Sequence, residues 1–233
     1  MQHIKRVKQQ TGRRPELKFF DKPAIYFIMG SQNSGARDPF ELLEAALSGG
    51  ITHFQLREKG HGALKGEALL EFALRCRQLC HNYGVPLIIN DHLELACEIE
   101  ADGIHVGQDD VSALYARKMI GKEKILGVSV HSVKEAQQAI LHGADYVGMG
   151  PVFGTVSKPD AKAPAGVKGI LAVKSKFPAL PILGIGGITP ENAGQVWKSG
   201  VSGIAVISTI TEAEDIEGRI KALRTSCKEG VKE

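Results

Sequence analysis

The sequence predicts an α/β protein folded as a single (β/α)₈ TIM barrel. Eight short apolar, β-branched segments recur along the chain, amphipathic segments with helical spacing alternate with them, and short connections join the two kinds. Such alternation produces parallel strands with right-handed crossovers, and eight strand–helix units suffice to close a barrel. The alternative is an open, doubly wound sheet, but its usual glycine fingerprint does not follow the first strand.

The individual elements follow from these patterns in chain order. Strands are predicted at 24–29, 52–57, 86–90, 102–106, 125–130, 145–150, 181–186 and 203–208. Helices are predicted at 38–48, 66–82, 92–98, 111–120, 132–142, 167–176, 190–199 and 213–225. Proline follows Asp38 and Thr189 at two of the helix starts, and Ser132 stands three residues before Glu135 in capping-box spacing.

Composition and charge narrow the class of protein. The 233 residues are 43% apolar and contain no run long enough to cross a bilayer and no signal-peptide pattern. The four cysteines lack zinc-site spacing, which favours reduced thiols and a cytoplasmic location. Residues 1–22 hold seven basic and two acidic side chains, so we expect a basic N-terminal extension before a catalytic domain at 23–233. The body has no matching basic stripe, so no nucleic-acid or membrane partner is expected.

Charged residues gather where predicted strands end, which is where such barrels place their active sites. In the segment "QLREKG", alternation turns Gln55 and Arg57 towards the barrel interior and leaves Lys59 at the rim. A buried arginine is costly unless it meets an anion. The alternative is an internal salt bridge between Arg57 and a carboxylate of the barrel.

Two aspartates end the next strands. Asp91 closes "IIND", and Asp110 belongs to "VGQDD" after the fourth strand. Mg²⁺ commonly takes one or two carboxylates together with substrate phosphates. Beside Arg57 and Lys59, the pair therefore indicates a metal–diphosphate site, although each aspartate alone could be a helix cap or turn residue.

A second anion site is predicted after the last three strands. The loop within "GMGPVFGTVSKPD" carries Thr155, Ser157 and Lys158, whose hydroxyl and ammonium groups suit phosphate oxygens. "GIGGI" and "VIS" end the seventh and eighth strands, where backbone N–H groups often bind phosphate. The glycines alone could mark a tight turn. No serine or cysteine lies in a nucleophile motif, and His105 faces the interior without an assigned role.

Seven segments in order resemble the thiamine-phosphate synthase family: "QLREKG", "IINDHLELA", "ADGIHVGQDD", "ILGVSVHS", "GADYVGMGPVFGTVSK", "PILGIGGI" and "VIS". The resemblance spans about Ile25 to Ile210. It implies a transferase that joins 4-amino-2-methyl-5-hydroxymethylpyrimidine diphosphate to a thiazole phosphate, or its carboxylated form, and releases pyrophosphate. It also implies small-molecule partners, while the oligomeric state, including a homo-oligomer, stays open.

The resemblance further implies a set of site residues. The pyrimidine diphosphate would contact Gln55, Arg57, Lys59, Asn90, Ser129 and Lys158, of which Arg57, Lys59, Ser129 and Lys158 would be catalytic. Mg²⁺ would bind Asp91 and Asp110. The thiazole phosphate would contact Thr155, Ser157, Gly187, Ile207 and Ser208. Many relatives have threonine at the position of Ser157, which keeps the hydroxyl.

Three other functions compete with this one. A thiazole-precursor isomerase of the same superfamily needs neither a metal nor a diphosphate site. A sugar-phosphate epimerase would not need "QLREK" beside "IIND". A non-catalytic sensor of thiamine intermediates would not need a full set of charged site residues. We also expect the segment 30–37, "GSQNSGAR", to close over the mouth of the barrel.

Overall fold

The computed structural model describes residues 20–155, 157 and 163–230, and it confirms the barrel. Eight parallel strands pair in sequence order, and β8 closes the sheet by pairing with β1. The strands are β1 Ala24–Met29, β2 His53–Leu56, β3 Leu87–Asn90, β4 Gly103–Val106, β5 Ile125–Val130, β6 Tyr146–Met149, β7 Ile182–Ile185 and β8 Gly203–Val206. Each lies within its predicted range.

Helices follow the strands on the outside of the barrel. They are α1 Pro39–Ser48, α2 Gly66–Tyr83, α3 Leu93–Glu98, α4 Ala113–Ile120, α5 Val133–Leu141, α6 Lys168–Lys176, α7 Pro190–Lys198, α8 Ser208–Thr211 and α9 Ile216–Gly230. The predicted caps form at α1, where the carboxylate of Asp38 accepts from the N–H groups of Phe40 and Glu41, and at α7, where Thr189 is the N-cap and Pro190 is the first helical residue. None of the described helices has the length and apolar content that a membrane span requires.

Two predictions need correction at element ends. Ser208 is not part of the eighth strand, because the chain turns at Ile207 into the short helix α8. At α5, Ser132 caps the helix by accepting from the N–H of Glu135 at 3.1 Å. The returning carboxylate of Glu135 reaches the N–H of His131 at 2.7 Å, so the capping box is displaced by one residue. The helix start itself is unchanged.

Alternation along the strands divides the apolar core into two layers. Phe54 and Leu56 pack into the layer between strands and helices, as predicted for these two residues of β2. A smaller cluster fills the barrel interior and includes Tyr26, Ile88 and Tyr146. Because the interior is filled, the space open to a ligand lies at the ends of the strands.

The amino-terminal end of the barrel is closed by aromatic rings. Phe20 stacks on His53 with ring centroids 5.0 Å apart, and Tyr26 stacks on the same imidazole at 5.5 Å. Phe20 also meets Tyr146 edge-on. Most of the predicted extension 1–22 lies outside the described residues, so its boundary stays a prediction.

His53 makes stability depend on pH. Burial disfavours the imidazolium and lowers the pKa of His53 from 6.5 to about 4. Between pH 6.5 and 4 the unfolded chain therefore binds a proton at His53 that the folded chain does not bind. The free energy of unfolding falls as the pH falls through this window. The loss reaches about 3 kcal/mol, since each tenfold change in proton affinity is worth about 1.4 kcal/mol.

We expect His53→Gln to flatten this pH dependence, whereas the same change at exposed His81 should leave it intact. Urea unfolding at several pH values between 4 and 7.5 measures the difference. If wild type and His53→Gln lose stability in parallel on acidification, the assignment to His53 is wrong.

Candidate active site at the carboxyl ends of the strands

A cavity of about 300 Å³ opens at the carboxyl ends of the strands. The structure brings together there nearly all residues that sequence reasoning assigned to the site: Arg57, Lys59, Asn90, Asp91, Asp110, Ser129, Thr155, Ser157, Gly187, Ile207 and Ser208. Lys158 lies outside the described residues. Gln55 faces the barrel interior as predicted, but it is 2% exposed and is not among the residues that line this cavity.

Lys59 joins the two aspartates at one side of the cavity. Its Nζ donates to Oδ2 of Asp91 at 2.7 Å and to Oδ1 of Asp110 at 3.2 Å. The second oxygen of Asp110 accepts from the N–H of Gly107 at 2.9 Å. Asp91 itself stands in the left-handed region with φ of 60° directly after β3, a conformation that Asp and Asn adopt more readily than most residues. Three strand ends thus converge on one cationic position.

The electrostatics of this cluster reflect two carboxylates held close together. Burial and the neighbouring carboxylate of Asp110 raise the pKa of Asp91. For Asp110 burial acts in the same sense, but hydrogen bonds from Asp91, Gly107 and Lys59 outweigh it and lower its pKa. Burial opposes the charge of Lys59, yet its contacts with Asp91 and Asp110 raise its pKa. The carboxylates of Asp91 and Asp110 therefore favour a positive charge between them.

This pair of carboxylates fits a Mg²⁺ ion. Carboxylate oxygens are the ligands that Mg²⁺ prefers, and it usually needs only one or two of them beside phosphate and water. In the described part of the chain no three His, Cys, Asp or Glu side chains converge as a metal cluster. A metal held by Asp91 and Asp110 would thus complete its shell from substrate and water, with Lys59 displaced or shared.

The opposite side of the cavity is built from glycine and hydroxyl groups. Gly186 and Gly187 have φ values of 103° and 60°, and a Cβ on Gly187 would stand 2.2 Å from the carbonyl oxygen of Gly154. The loops after β6 and β7 therefore approach each other closely only because this residue is glycine. Across from them, Oγ of Ser157 donates to Oγ of Ser208 at 3.1 Å. Residues of three loops thus line the same space.

A buried carboxylate fixes the loops beside Arg57 and Lys59. Glu58 is 5% exposed and accepts from both the N–H and, at 3.1 Å, the hydroxyl of Ser31. It also accepts from the N–H of Leu64 at 2.9 Å. One side chain thus connects the loop after β1 with the loop after β2. The predicted closure of 30–37 over the mouth stays a prediction.

Sequence reasoning missed several cavity residues. His131 and Glu135 line the cavity beside the end of β5, with Nδ1 of His131 3.2 Å from the Glu135 carboxylate. Gln108 also lines it and donates to the carbonyl of Ser129 at 2.6 Å. His131 directly follows β5 and Gln108 stands two residues after β4, so extending the strand-end rule to every polar residue there would have found them.

Residues 25–210 match the family described as thiamine monophosphate synthase. The chain belongs to this family. The family predicted from sequence is therefore confirmed, and the match covers all eight strands of the barrel apart from Ala24, the first residue of β1.

Relatives of this chain carry the same family name over most of their length. A thiamine-phosphate synthase of Bacillus mycoides is 52% identical over 190 residues, which cover 82% of this chain and 86% of the relative. That of Lysinibacillus sphaericus is 50% identical over 201 residues, covering 86% and 94%. The structure of thiamine phosphate pyrophosphorylase from Pyrococcus furiosus superposes with a TM-score of 0.79 at 33% identity, covering 91% of this chain and 98% of that one.

Proposed function

We propose that this thiamine monophosphate synthase family member condenses 4-amino-2-methyl-5-hydroxymethylpyrimidine diphosphate with 4-methyl-5-(2-phosphoethyl)thiazole, or its carboxylated form. The products are thiamine phosphate and pyrophosphate. One observation carries the proposal: a single cavity holds a lysine–carboxylate cluster on one side and a glycine–hydroxyl surface on the other. Two phosphorylated substrates that react with each other need two anion sites in one space.

The diphosphate is assigned to the side of Lys59. Asp91 and Asp110 would hold Mg²⁺, which when bound supplies positive charge to the departing pyrophosphate. Arg57, which lines the cavity and follows β2, adds a planar cation suited to phosphate oxygens. Lys158, outside the described residues, is assigned to the same diphosphate by the family resemblance alone.

Asn90 and Ser129 are assigned to the pyrimidine diphosphate from neighbouring strands. Both line the cavity, and Asn90 is 6% exposed at the last position of β3. Gln55 lies beneath them and donates to the hydroxyl of Tyr26 at 2.8 Å, so its proposed contact with the pyrimidine requires the ligand to reach deeper than this cavity.

The thiazole phosphate is assigned to the opposite side. Thr155 and Ser157 carry hydroxyl groups, and Gly187, Ile207 and Ser208 line the same side of the cavity, where their backbone N–H groups would bind phosphate oxygens. The absence of a side chain at Gly187 lets the main chain approach phosphate oxygens closely. Neutral donors suit the thiazole phosphate, which is bound but not transferred. The cations are assigned to the diphosphate, which is the leaving group.

The chemistry needs no protein nucleophile. The bond between the pyrimidine methylene carbon and the diphosphate oxygen breaks, and its electron pair leaves with pyrophosphate. The electron-rich aminopyrimidine stabilises the resulting cation, and the thiazole nitrogen closes the new C–N bond with its lone pair. The chain's own contribution is to stabilise charge on the leaving group and to hold the rings together without water.

The test is an assay of both substrates with purified protein. We expect one pyrophosphate released for each thiamine phosphate formed, only when both substrates and Mg²⁺ are present. Chelation should stop the reaction, and excess Mg²⁺ should restore it. Conversion of a thiazole precursor without pyrophosphate release would point to the isomerase instead, and binding without any turnover would point to a sensor.

We also propose a cytoplasmic location and small-molecule partners. The four cysteines are free thiols in the structure, and three of them are buried, which suits a reducing compartment.

A further inference from the structure

A continuous chain of hydrogen bonds runs through the barrel interior to the cavity. Gln55 Nε2 donates to the hydroxyl of Tyr26 at 2.8 Å, and that oxygen lies 2.8 Å from the hydroxyl of Tyr146. The Tyr146 hydroxyl lies 3.0 Å from Nδ1 of His105, whose Nε2 lies 2.9 Å from Oγ of Ser129. We call these five residues the interior relay. Of the five, only Ser129 lines the cavity.

The relay has a definite direction. A hydroxyl has one proton to give, and the amide of Gln55 already donates to Tyr26. Among the described contacts, the Tyr146 oxygen is then the acceptor for the Tyr26 proton, and Nδ1 of His105 is the acceptor for the Tyr146 proton. This is the arrangement in which both buried hydroxyl protons are hydrogen-bonded. A neutral imidazole that accepts at Nδ1 carries its proton on Nε2. In this arrangement Nε2 of His105 donates to Oγ of Ser129, which lies 2.9 Å away.

Packing holds the imidazole in this orientation. A Cβ at Gly127 would stand 2.4 Å from Nδ1 of His105 and 2.2 Å from Cζ of Tyr146. A Cβ at Gly148 would stand 3.3 Å from Cε1 of the same imidazole. Two glycines on adjacent strands thus form a slot for the His105 ring against Tyr146. Tyr26 and Tyr146 are each 1% exposed, so water does not compete for these bonds.

We propose that His105 is a positioning residue that fixes the hydroxyl of Ser129 as a proton donor facing the substrate. Since Ser129 Oγ accepts from His105, its own proton is directed into the cavity. The proposal rests on the function proposed above, in which Ser129 contacts the pyrimidine diphosphate. In this proposal the hydrogen bonds of Gln55, Tyr26 and Tyr146 determine which imidazole nitrogen of His105 carries the proton.

The direction matters because of the ligand's chemistry. Diphosphate oxygens are acceptors, and their negative charge grows as the bond to carbon breaks. A serine that presents a proton stabilises this charge, whereas one that presents a lone pair opposes it. The same Ser–His distance would suit a nucleophile and its base if the direction were reversed. Nδ1 of His105 lies 3.0 Å from a tyrosine hydroxyl, which agrees with the donor role.

The first test reads the tautomer directly in the wild-type protein. Nitrogen-15 NMR of the imidazoles at pH 8, with the His105 signals assigned by their loss in His105→Gln, should show a neutral ring protonated at Nε2. A ring protonated at Nδ1 would overturn the proposal. This measurement needs no substrate, so it separates a failure of the relay from a failure of the proposed function.

The second test compares two side chains of similar size at His105. Glutamine can still donate near Ser129, whereas methionine cannot. We expect His105→Met to lower kcat by about 10- to 100-fold, the loss typical when a supporting partner is removed. His105→Gln should recover most of it at equal thermal stability.

A double mutant cycle decides whether His105 acts through Ser129. If it does, adding His105→Met to Ser129→Ala should cost little further activity, because the group that it orients is already gone. Independent, multiplicative losses would contradict a role through Ser129. Circular dichroism and melting temperature of each variant show whether the barrel is intact.

Discussion

Replacement of Asp91 by asparagine is expected to lower kcat/KM by about 10²–10³, the usual cost of removing one group that stabilises transition-state charge. Asp91 shares the ammonium of Lys59 with Asp110, so its carboxylate helps to create the position where positive charge is favoured. Asparagine is the suitable replacement because it tolerates the left-handed backbone at φ of 60°. Alanine would add backbone strain to the loss of charge.

The effect should appear in two measurements. Titration of activity with Mg²⁺ should show half-maximal activity at a higher concentration, and kcat at saturating metal should remain reduced. Asp102→Asn is the matched control: its carboxylate accepts from the N–H of Leu87 at the opposite end of the barrel, and an asparagine oxygen can do the same. Normal Mg²⁺ dependence in Asp91→Asn would remove Asp91 from the proposed metal site.

The barrel could be predicted closely because its determinants are local. Each strand is a short apolar run between turn residues, and the eightfold alternation with helices has few packing solutions. The largest error at the end of a predicted strand is at Ser208, where residues of good β propensity meet a sharp change of direction at Ile207. That change depends on how the loop meets its neighbours, which a single run of sequence does not contain.

The rim of the site was predictable for the same reason. Once the strands are placed, the loops that follow them must share one edge of the barrel, and Arg57, Asp91 and Ser157 were located by that rule. Pairings were not predictable. Side-chain rotamers in different loops decide whether Lys59 contacts both aspartates. They also decide whether Glu58 connects the loops after β1 and β2.

The interior relay was predictable only in part: the positions of its residues could be predicted from the sequence, and their hydrogen bonds could not. Alternation places Tyr26 and Tyr146 on the inward face of β1 and β6, so their depth could have been read from the sequence. Their hydrogen bonds to each other and to His105 require the register between strands that are 120 positions apart in the sequence. Polar residues at inward positions are therefore a signal of an interior network, although not of its connections.

Gly30→Ala is expected to affect both stability and activity, because it forces apart the ends of β1 and β2. A Cβ at Gly30 would stand 2.2 Å from the carbonyl oxygen of Arg57 and 2.8 Å from Oε1 of Glu58. The first neighbour is backbone, which cannot rotate away as a flexible side chain can. Gly30 has φ of −120°, so alanine meets no dihedral penalty and the cost comes from the collision alone.

We expect a loss of about 1–3 kcal/mol in the free energy of unfolding, as for other overpacked sites. The chain can relieve the collision only by moving Arg57 and Glu58, which carries Lys59 with it. A shift near 1 Å at such groups typically costs about 10²-fold in rate. Gly194→Ala is the matched control, because no atom lies within 4 Å of its added Cβ, and alanine should stabilise α7 slightly. Urea unfolding and kcat of both variants test this prediction. If Gly30→Ala matches Gly194→Ala in both measurements, the ends of β1 and β2 can separate without disturbing Arg57 and Lys59. The close approach at Gly30 would then have no part in building the site.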